Sequence, residues 1–408
     1  MPVYYSEAYA AAADTFDTLR KAREIADALA ASPIPGVSLV EPRPLTAGDL
    51  CAVHAPEYVS AVRTGEPRHL AATNGLRWDR GLWAAVCASN GGAVAAARHA
   101  LENRRNAGSL SSGLHHARRD HGAGFCTFNG LALAARAALD DGAARVLIID
   151  LDAHCGGGTA SLVREWEGVV QVDISLSHMD GYEPDESSRS SLDVVTRADD
   201  YLPTLRARLA SLDEVPFDLV LYNAGMDVHQ DSAIGGVAGM TTDVIAAREQ
   251  AVFEWARQRG VGVAFVLAGG YTGGRLDPEG LVRLHRLTIA AAAGQAPEST
   301  AVFRVLIDDN FHYMDKEARV DGPTFVTYAQ ARDWVRDFMD RQLEELYEPG
   351  MDPSSLISRY KMFGEDPWIQ PTPDGVKRWS AWSYAEQRAE AVCRNGGRLP
   401  RDTKGATP

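Results

Sequence analysis

The stretch that most constrains the fold is residues 146–159, VLIIDLDAHCGGGT. Val146-Leu147-Ile148-Ile149 has three β-branched residues and no polar interruption. That pattern predicts a strand buried on both faces, as in a parallel sheet. The run ends in Asp150-Leu151-Asp152-Ala153-His154 and three glycines, so the chain is expected to turn tightly there into a helix. In open α/β sheets, ligands bind at the carboxyl ends of the strands. Period-two alternation places Asp150, Asp152 and His154 on one side of an extended chain. A carboxylate and an imidazole two residues apart suit a divalent transition metal such as zinc. Two solvated acids and a histidine in a βα turn are the other reading of the same residues.

The flanking chain repeats the theme. Residues 169–174, 217–222 and 261–268 are further apolar strands, separated by helical patterns at 159–166, 198–212, 242–259 and 278–293. Helices are also expected at 15–31, 80–101 and 130–139, and a short strand at 38–40. Strands alternating with helices through 130–293 predict a parallel sheet with helices on both faces. Three strand ends carry candidate chemistry: Asp150/Asp152/His154, then Asp227, then Tyr271. Between 109 and 129 lies a Gly- and Ser-rich structured loop holding His115, His116 and His121.

With 408 residues, the chain can bury a large core and carry a second, smaller domain. The pattern breaks near 292–299, AAGQAPES. We therefore expect domains at 1–295 and 300–395, the second a small α/β unit with aromatic-rich loops at 362–369 and 379–384, and a disordered tail at 396–408. A net charge of −14 argues against a nucleic-acid partner. No apolar run is long enough for a bilayer, and residues 1–10, without a basic stretch or an apolar core, are not expected to act as a signal peptide. Five cysteines, odd in number and without a CxxC, make a disulfide framework unexpected and a reducing cytoplasm the expected location.

His115-His116, Gly124-Phe125-Cys126 with Asn129, DLDAH at 150–154, YNAGMD at 222–227 and LAGGY at 267–271 follow one another in a specific order. In that order they resemble the zinc-dependent histone deacetylase and acetylpolyamine amidohydrolase superfamily, of arginase/deacetylase fold. The resemblance covers roughly residues 1–295. It implies Asp152, His154 and Asp227 as zinc ligands, with ferrous iron able to fill the same set. It implies His116 as general base and later acid, His115 as its electrostatic neighbour fixed by Asp150, and Tyr271 as hydroxyl donor to the developing oxyanion. Gly124 and Phe125 would line a channel for an alkyl chain. A potassium ion is implied near Asp150 and Asp152, with Asp173 placed to contribute. The implied substrate is an acylated amine, either a small molecule or an acetyl-lysine peptide. A ureohydrolase of the arginase branch is disfavoured, because Gly156 and His229 stand where its second metal site needs acids.

Two departures qualify the resemblance. The family commonly continues with His-Gly-Asp-Gly, whereas this chain has Cys155-Gly156-Gly157-Gly158, so the acid that would orient His116 is missing at 157. Asp120 and Asp231 are the candidate substitutes; slower chemistry or loss of hydrolysis are the other readings. Cys155 reads either as a small packing residue or as an oxidation-sensitive thiol. The usual His-Pro-Glu-x-Pro-x-Arg run near the N-terminus is also absent. The C-terminal region, with IDDNFHYMD (307–315), YEPGM (347–351) and MFGEDPWI (362–369), resembles a small bacterial protein type, often free-standing, and reads as a docking or regulatory module. The expectation is thus a deacetylase, with room for a homo-oligomer and for a protein partner on the C-terminal domain. The competing expectation is a metal-bound, weakly catalytic sensor or scaffold.

Overall fold

Successive residues of the central strands enter two different cores, which is why those strands read as unbroken apolar runs. Leu147, Ile149, Val220, Tyr222, Val263 and Phe265 join one cluster. Val146, Ile148, Leu219, Leu221, Ala264 and Val266 join the other. The structure is a computed structural model; it describes residues 1–12, 20–184, 189–295, 303–310, 319–325, 328–370, 372 and 378–399. The chain divides into two compact units, Met1–Glu298 and Ser299–Pro408.

Among the described residues the first unit has eight strands: β1 (Pro2–Tyr4), β2 (Ser38–Val40), β3 (Ala107–Ser109), β4 (Val146–Asp150), β5 (Val169–Ser175), β6 (Ser190–Val194), β7 (Leu219–Gly225) and β8 (Gly262–Ala268). They form one sheet in the order β2-β1-β3-β8-β7-β4-β5-β6, and every pairing is parallel. This is the open parallel sheet flanked by helices that the sequence predicts. The long helix Gly81–Asn103 buries Ala88, Gly91 and Gly92. A Cβ at Gly92 would sit 1.8 Å from the Tyr9 hydroxyl, so only glycine permits that approach. Of the helix expected at 15–31, Lys21–Ala31 is present; the residues from 13 to 19 lie outside the described ones.

In the second unit β9 (Phe303–Asp309) pairs antiparallel with β10 (Val320–Phe325) and β11 (Glu365–Gln370). Helices Tyr328–Leu346, Pro353–Phe363 and Ala381–Arg394 complete it. Most of the aromatic loop expected at 362–369 is therefore strand: Asp366–Ile369 pair with Asp308–Val305, with Ile369 buried. The expected tail also starts later than 396. Leu399 is buried and its N–H donates to Glu344 Oε1 at 2.7 Å, while residues 400–408 lie outside the described ones. No helix among the described residues is long and apolar enough to cross a membrane.

Candidate active site

The parallel sheet brings the carboxyl ends of β3, β4, β5, β7 and β8 together, and the polar residues of the sequence motifs follow those ends. Past β4, the backbone N–H groups of Asp152 and His154 fold back onto Asp150 Oδ1 (3.3 Å) and Asp152 Oδ1 (3.0 Å). Past β7, Asp227 Oδ1 accepts the Ala153 N–H at 3.0 Å, tying the two strand ends to each other. One ligand atom each from Asp152, His154 and Asp227 lies within 4.8 Å of the others, and all three residues are buried. His154 Nδ1 stands 3.1 Å from Asp152 Oδ1 and 3.0 Å from Asp227 Oδ2. Burial works against a charged imidazole, but these carboxylates outweigh it and carry His154 up to about 10. Burial and the Asp152 charge push Asp227 up to about 6.

This donor set fits a divalent cation. Two buried carboxylates converge on one imidazole nitrogen, and Asp227 Oδ2, 3.0 Å from that nitrogen, makes no well-aligned hydrogen bond. Buried charge of one sign is costly without compensation, and a proton on His154 supplies only part of it. Oxygen and nitrogen donors in a three-residue set suit a catalytic metal site.

His115 and His116 are placed by the turn between β3 and the helix Gly130–Asp140. Asn129 caps that helix through the Ala132 N–H, while its Nδ2 donates to His115 O (3.2 Å), Ala117 O (3.1 Å) and Thr159 Oγ1 (3.0 Å). His115 Nδ1–H donates to Asp150 Oδ2 at 2.8 Å; Asp150 in turn accepts from Asn223 Nδ2 at 2.8 Å. His115 Nε2 faces His116 Nε2 at 3.1 Å. His116 Nδ1 faces Asp180 Oδ2 at 2.9 Å. Burial disfavours the charged form of both rings. At His115 the carboxylates of Asp150 and Asp152 overcome it and hold the ring well above the usual histidine range. At His116 burial and the neighbouring His115 charge together push it down. His115 is thus the ring that favours the charged form and His116 the ring that favours the neutral one.

Gly124 packs on His116: a Cβ there would lie 2.4 Å from the ring Cδ2. Phe125, with φ +66, turns outward and is partly exposed, its N–H donating to Asn74 O at 2.9 Å. Both line a cavity of about 100 Å³ with Leu76, Cys126, Gly269 and Tyr271. Tyr271 is held at its main chain by Ala233 N and Ser232 Oγ. Burial, then the Asp227 and Asp152 charges, push its phenol far above its ordinary value, so it stays protonated and able to donate.

Two residues in the cluster were not anticipated from sequence. Lys21 lines the same cavity, and its Nζ donates to Gly269 O at 2.7 Å. Burial pulls it down to about 8 against the attraction of Asp152 and Asp227. The available signal was a lysine in register with Ile25 and Leu29 on the buried face of its helix. The second is Asp180, in the loop after β5. Both acids considered for the partner of His116 are engaged elsewhere. Asp120 Oδ1 accepts from His121 at 2.7 Å on an exposed turn, and Asp231 pairs with Arg275 at 3.0 Å. Cys155 is a packing residue. It is fully buried, its Sγ lies 3.1 Å from Ser175 Oγ and 3.2 Å from Ser177 O, and burial pushes the thiol up to about 11. Asp173 pairs across the sheet with Asp150; its Oδ2 accepts the Gly156 N–H at 2.6 Å and its Oδ1 has no partner.

The histone deacetylase domain profile matches residues 15–278. An uncharacterized protein of Picosynechococcus sp. is 36% identical over 247 residues, covering 59% of this chain and 80% of its own length. Histone deacetylase 2 of Arabidopsis thaliana is 29% identical over 250 residues, covering 57% of this chain and 63% of the plant protein. Among solved structures, an acetylpolyamine aminohydrolase from Burkholderia pseudomallei superimposes with a TM-score of 0.59 at 20% identity, covering 72% of this chain and 98% of that one. The fold, the motif order and the matched span agree: the chain belongs to the histone deacetylase domain family.

Proposed function

We propose that the chain is a zinc-dependent amidohydrolase that removes an acetyl or other acyl group from an amine on an alkyl chain. Acetyl-lysine, an acetylated polyamine and an acylated biosynthetic intermediate fit this description. Family membership makes the chain a hydrolytic deacetylase; the metal and the substrate class are our reading. What carries it is the neutral His116 Nε2 held beside the buried Asp152–His154–Asp227 cluster.

In this reading Asp152, His154 and Asp227 hold the zinc ion. Once bound, it would lower the pKa of a coordinated water and polarise the substrate carbonyl. Ferrous iron fits the same donors. The protein's own groups then divide the work. His116 Nε2 accepts the proton from the attacking water and returns it to the leaving amine. His115, kept cationic by Asp150, provides positive charge beside the developing anion. The Tyr271 hydroxyl donates to the oxyanion. Gly124 and Phe125 confine the alkyl chain. The unpartnered Asp173 Oδ1 beside Asp150 supports a potassium ion there. The five free cysteines support a reducing compartment such as the cytoplasm. Exposed Met362 and Phe363 support a docking role for the second unit. The sensor or scaffold reading rested on Gly157 and Cys155; against it, His116 has a carboxylate from Asp180 and Cys155 is a fully buried thiol.

The test is turnover of a fluorogenic acetyl-lysine peptide and of acetylated polyamines by zinc-loaded protein. Activity on at least one, lost by a factor of about 10² or more in His116→Ala, is expected. Zinc-loaded protein with no turnover on either class, or His116→Ala with unchanged turnover, would sink the reading.

A further inference from the structure

A histidine that accepts a proton at Nε2 needs its other proton fixed at Nδ1, because free imidazole exchanges between two tautomers. We propose that Asp180 is the positioning residue for His116, holding its Nδ1–H from the loop after β5 and replacing an acid at the start of the helix Gly157–Val163. The proposal rests on the amidohydrolase reading above.

The contact is directional and fully committed. Asp180 Oδ2 accepts from His116 Nδ1 at 2.9 Å and from the Gly158 N–H at 3.0 Å, while Oδ1 is paired with Arg118. Arg118 also donates from Nη1 to Gly157 O at 3.1 Å, so one guanidinium joins the loop to the first turn of the helix. Every one of these donors favours an ionised carboxylate, which in turn favours the proton on His116 Nδ1.

The second observation concerns position 157. A Cβ built on Gly157 would lie 2.2 Å from Asp180 O and 2.7 Å from Asp180 Oδ1. A side chain at 157 and Asp180 in its present place therefore exclude each other. The glycine is the space into which the loop delivers its acid. The third is backbone strain. Asp180 has φ +58, a left-handed conformation that non-glycine residues rarely adopt. Residues persist in such conformations when surrounding contacts hold them there, and the contacts here are those to His116, Arg118 and Gly158. Together these observations describe an exchange in which glycine has taken 157 and aspartate has taken a glycine-like position at 180.

The experiment compares the parent with Asp180→Ala, Asp180→Asn and Asp180→Gly. Each is read twice: by steady-state kinetics of the zinc-loaded enzyme, and by long-range proton–nitrogen spectra of histidine-labelled protein, which report the tautomer without turnover. Asp180→Ala is expected to lose kcat by roughly 10- to 100-fold with KM within about twofold, and to lose the pure Nδ1–H signature of His116. Asp180→Asn keeps an acceptor in place and should keep that signature. Asp180→Gly, which suits the φ of +58 at this position, should show the same two losses as Asp180→Ala. The proposal is overturned if folded Asp180→Ala or folded Asp180→Gly keeps the tautomer and its kcat. Should Asp180→Ala fail to fold, Asp180→Gly decides by the same criterion. A parent without turnover on any acylated amine would fail the amidohydrolase reading, and the spectra would still decide the role of Asp180.

Discussion

At the scale of single residues, the metal-free cluster is a proton trap. His154 is carried up to about 10 by two carboxylates, so across neutral pH its Nδ1 holds a proton where the fold brings three donors together. A cation must displace that proton. Its apparent affinity should rise about tenfold per pH unit between pH 6.5 and 8, and more steeply below about pH 6, where Asp227 also binds a proton. Chelator-competition titrations across that range, with proton release followed in weak buffer, measure it directly. Affinity independent of pH would mean that another donor set binds the metal. The motif residues around this cluster were readable from sequence because each sits at a fixed offset from a strand end. Asp180 was not. It follows β5 in a polar stretch that carries no motif, and its partner position is recognisable only once Gly157 is seen to make room. Lys21 was missed because an amphipathic helix pattern does not say what its buried face touches.

At the scale of elements, the two strand ends that carry the cluster share a single clamp. Arg248, fully buried in the helix Thr242–Gln258, donates from Nη1 to Leu151 O at 3.2 Å and to Gly225 O at 2.7 Å. Its Nε and Nη2 bind Glu249 Oε1 at 2.9 and 2.5 Å, and Glu249 also accepts from the Tyr222 hydroxyl at 3.0 Å. Leu151 lies between Asp150 and Asp152, and Gly225 two residues before Asp227, so this fork sets the spacing of both ligand-bearing turns. Lysine offers no second arm to reach both carbonyls and the carboxylate together. Arg248→Lys should therefore weaken metal binding by roughly 10- to 100-fold while remaining folded. Arg248→Met should cost about 3–5 kcal/mol of stability, because it strands the buried Glu249 charge. Chelator competition and denaturant unfolding separate these effects; metal affinity unchanged in Arg248→Lys would show that the clamp only stabilises. The sequence made β4, β5, β7 and β8 legible through their apolar runs. It hid β3 (Ala-Gly-Ser), too short and small to carry a pattern, and the β6 edge (Ser-Ser-Leu-Asp-Val), which is only half-buried. β11 was hidden by its charged first residues and by Pro367.

At the scale of the whole chain, each unit has its own core and its own electrostatic weak point. In the second unit Asp366 pairs across β9 and β11 with Asp308. Burial, then the Asp308 charge, raise Asp366 to about 6. A carboxylate whose folded pKa is raised contributes stability while protonated and loses it as pH rises through the folded value. Asp366→Asn should therefore stabilise the second unit above about pH 6 and change little near pH 4. Thermal unfolding of the full chain at both pH values checks the sign. A larger gain at pH 4 would show that the Asp366 charge is not what costs the second unit stability.

The order of the sheet also has a consequence in time. Asp150 pairs in register with Asn223 across β4 and β7, while the intervening β5 and β6 lie on the far side of β4. Such non-local pairing closes late, because loop entropy must be lost before the contacts form. The metal ligands at these two strand ends are therefore expected to come together late in folding. A bound ion should then act as a latch on the finished sheet, slowing its opening more than hastening its assembly.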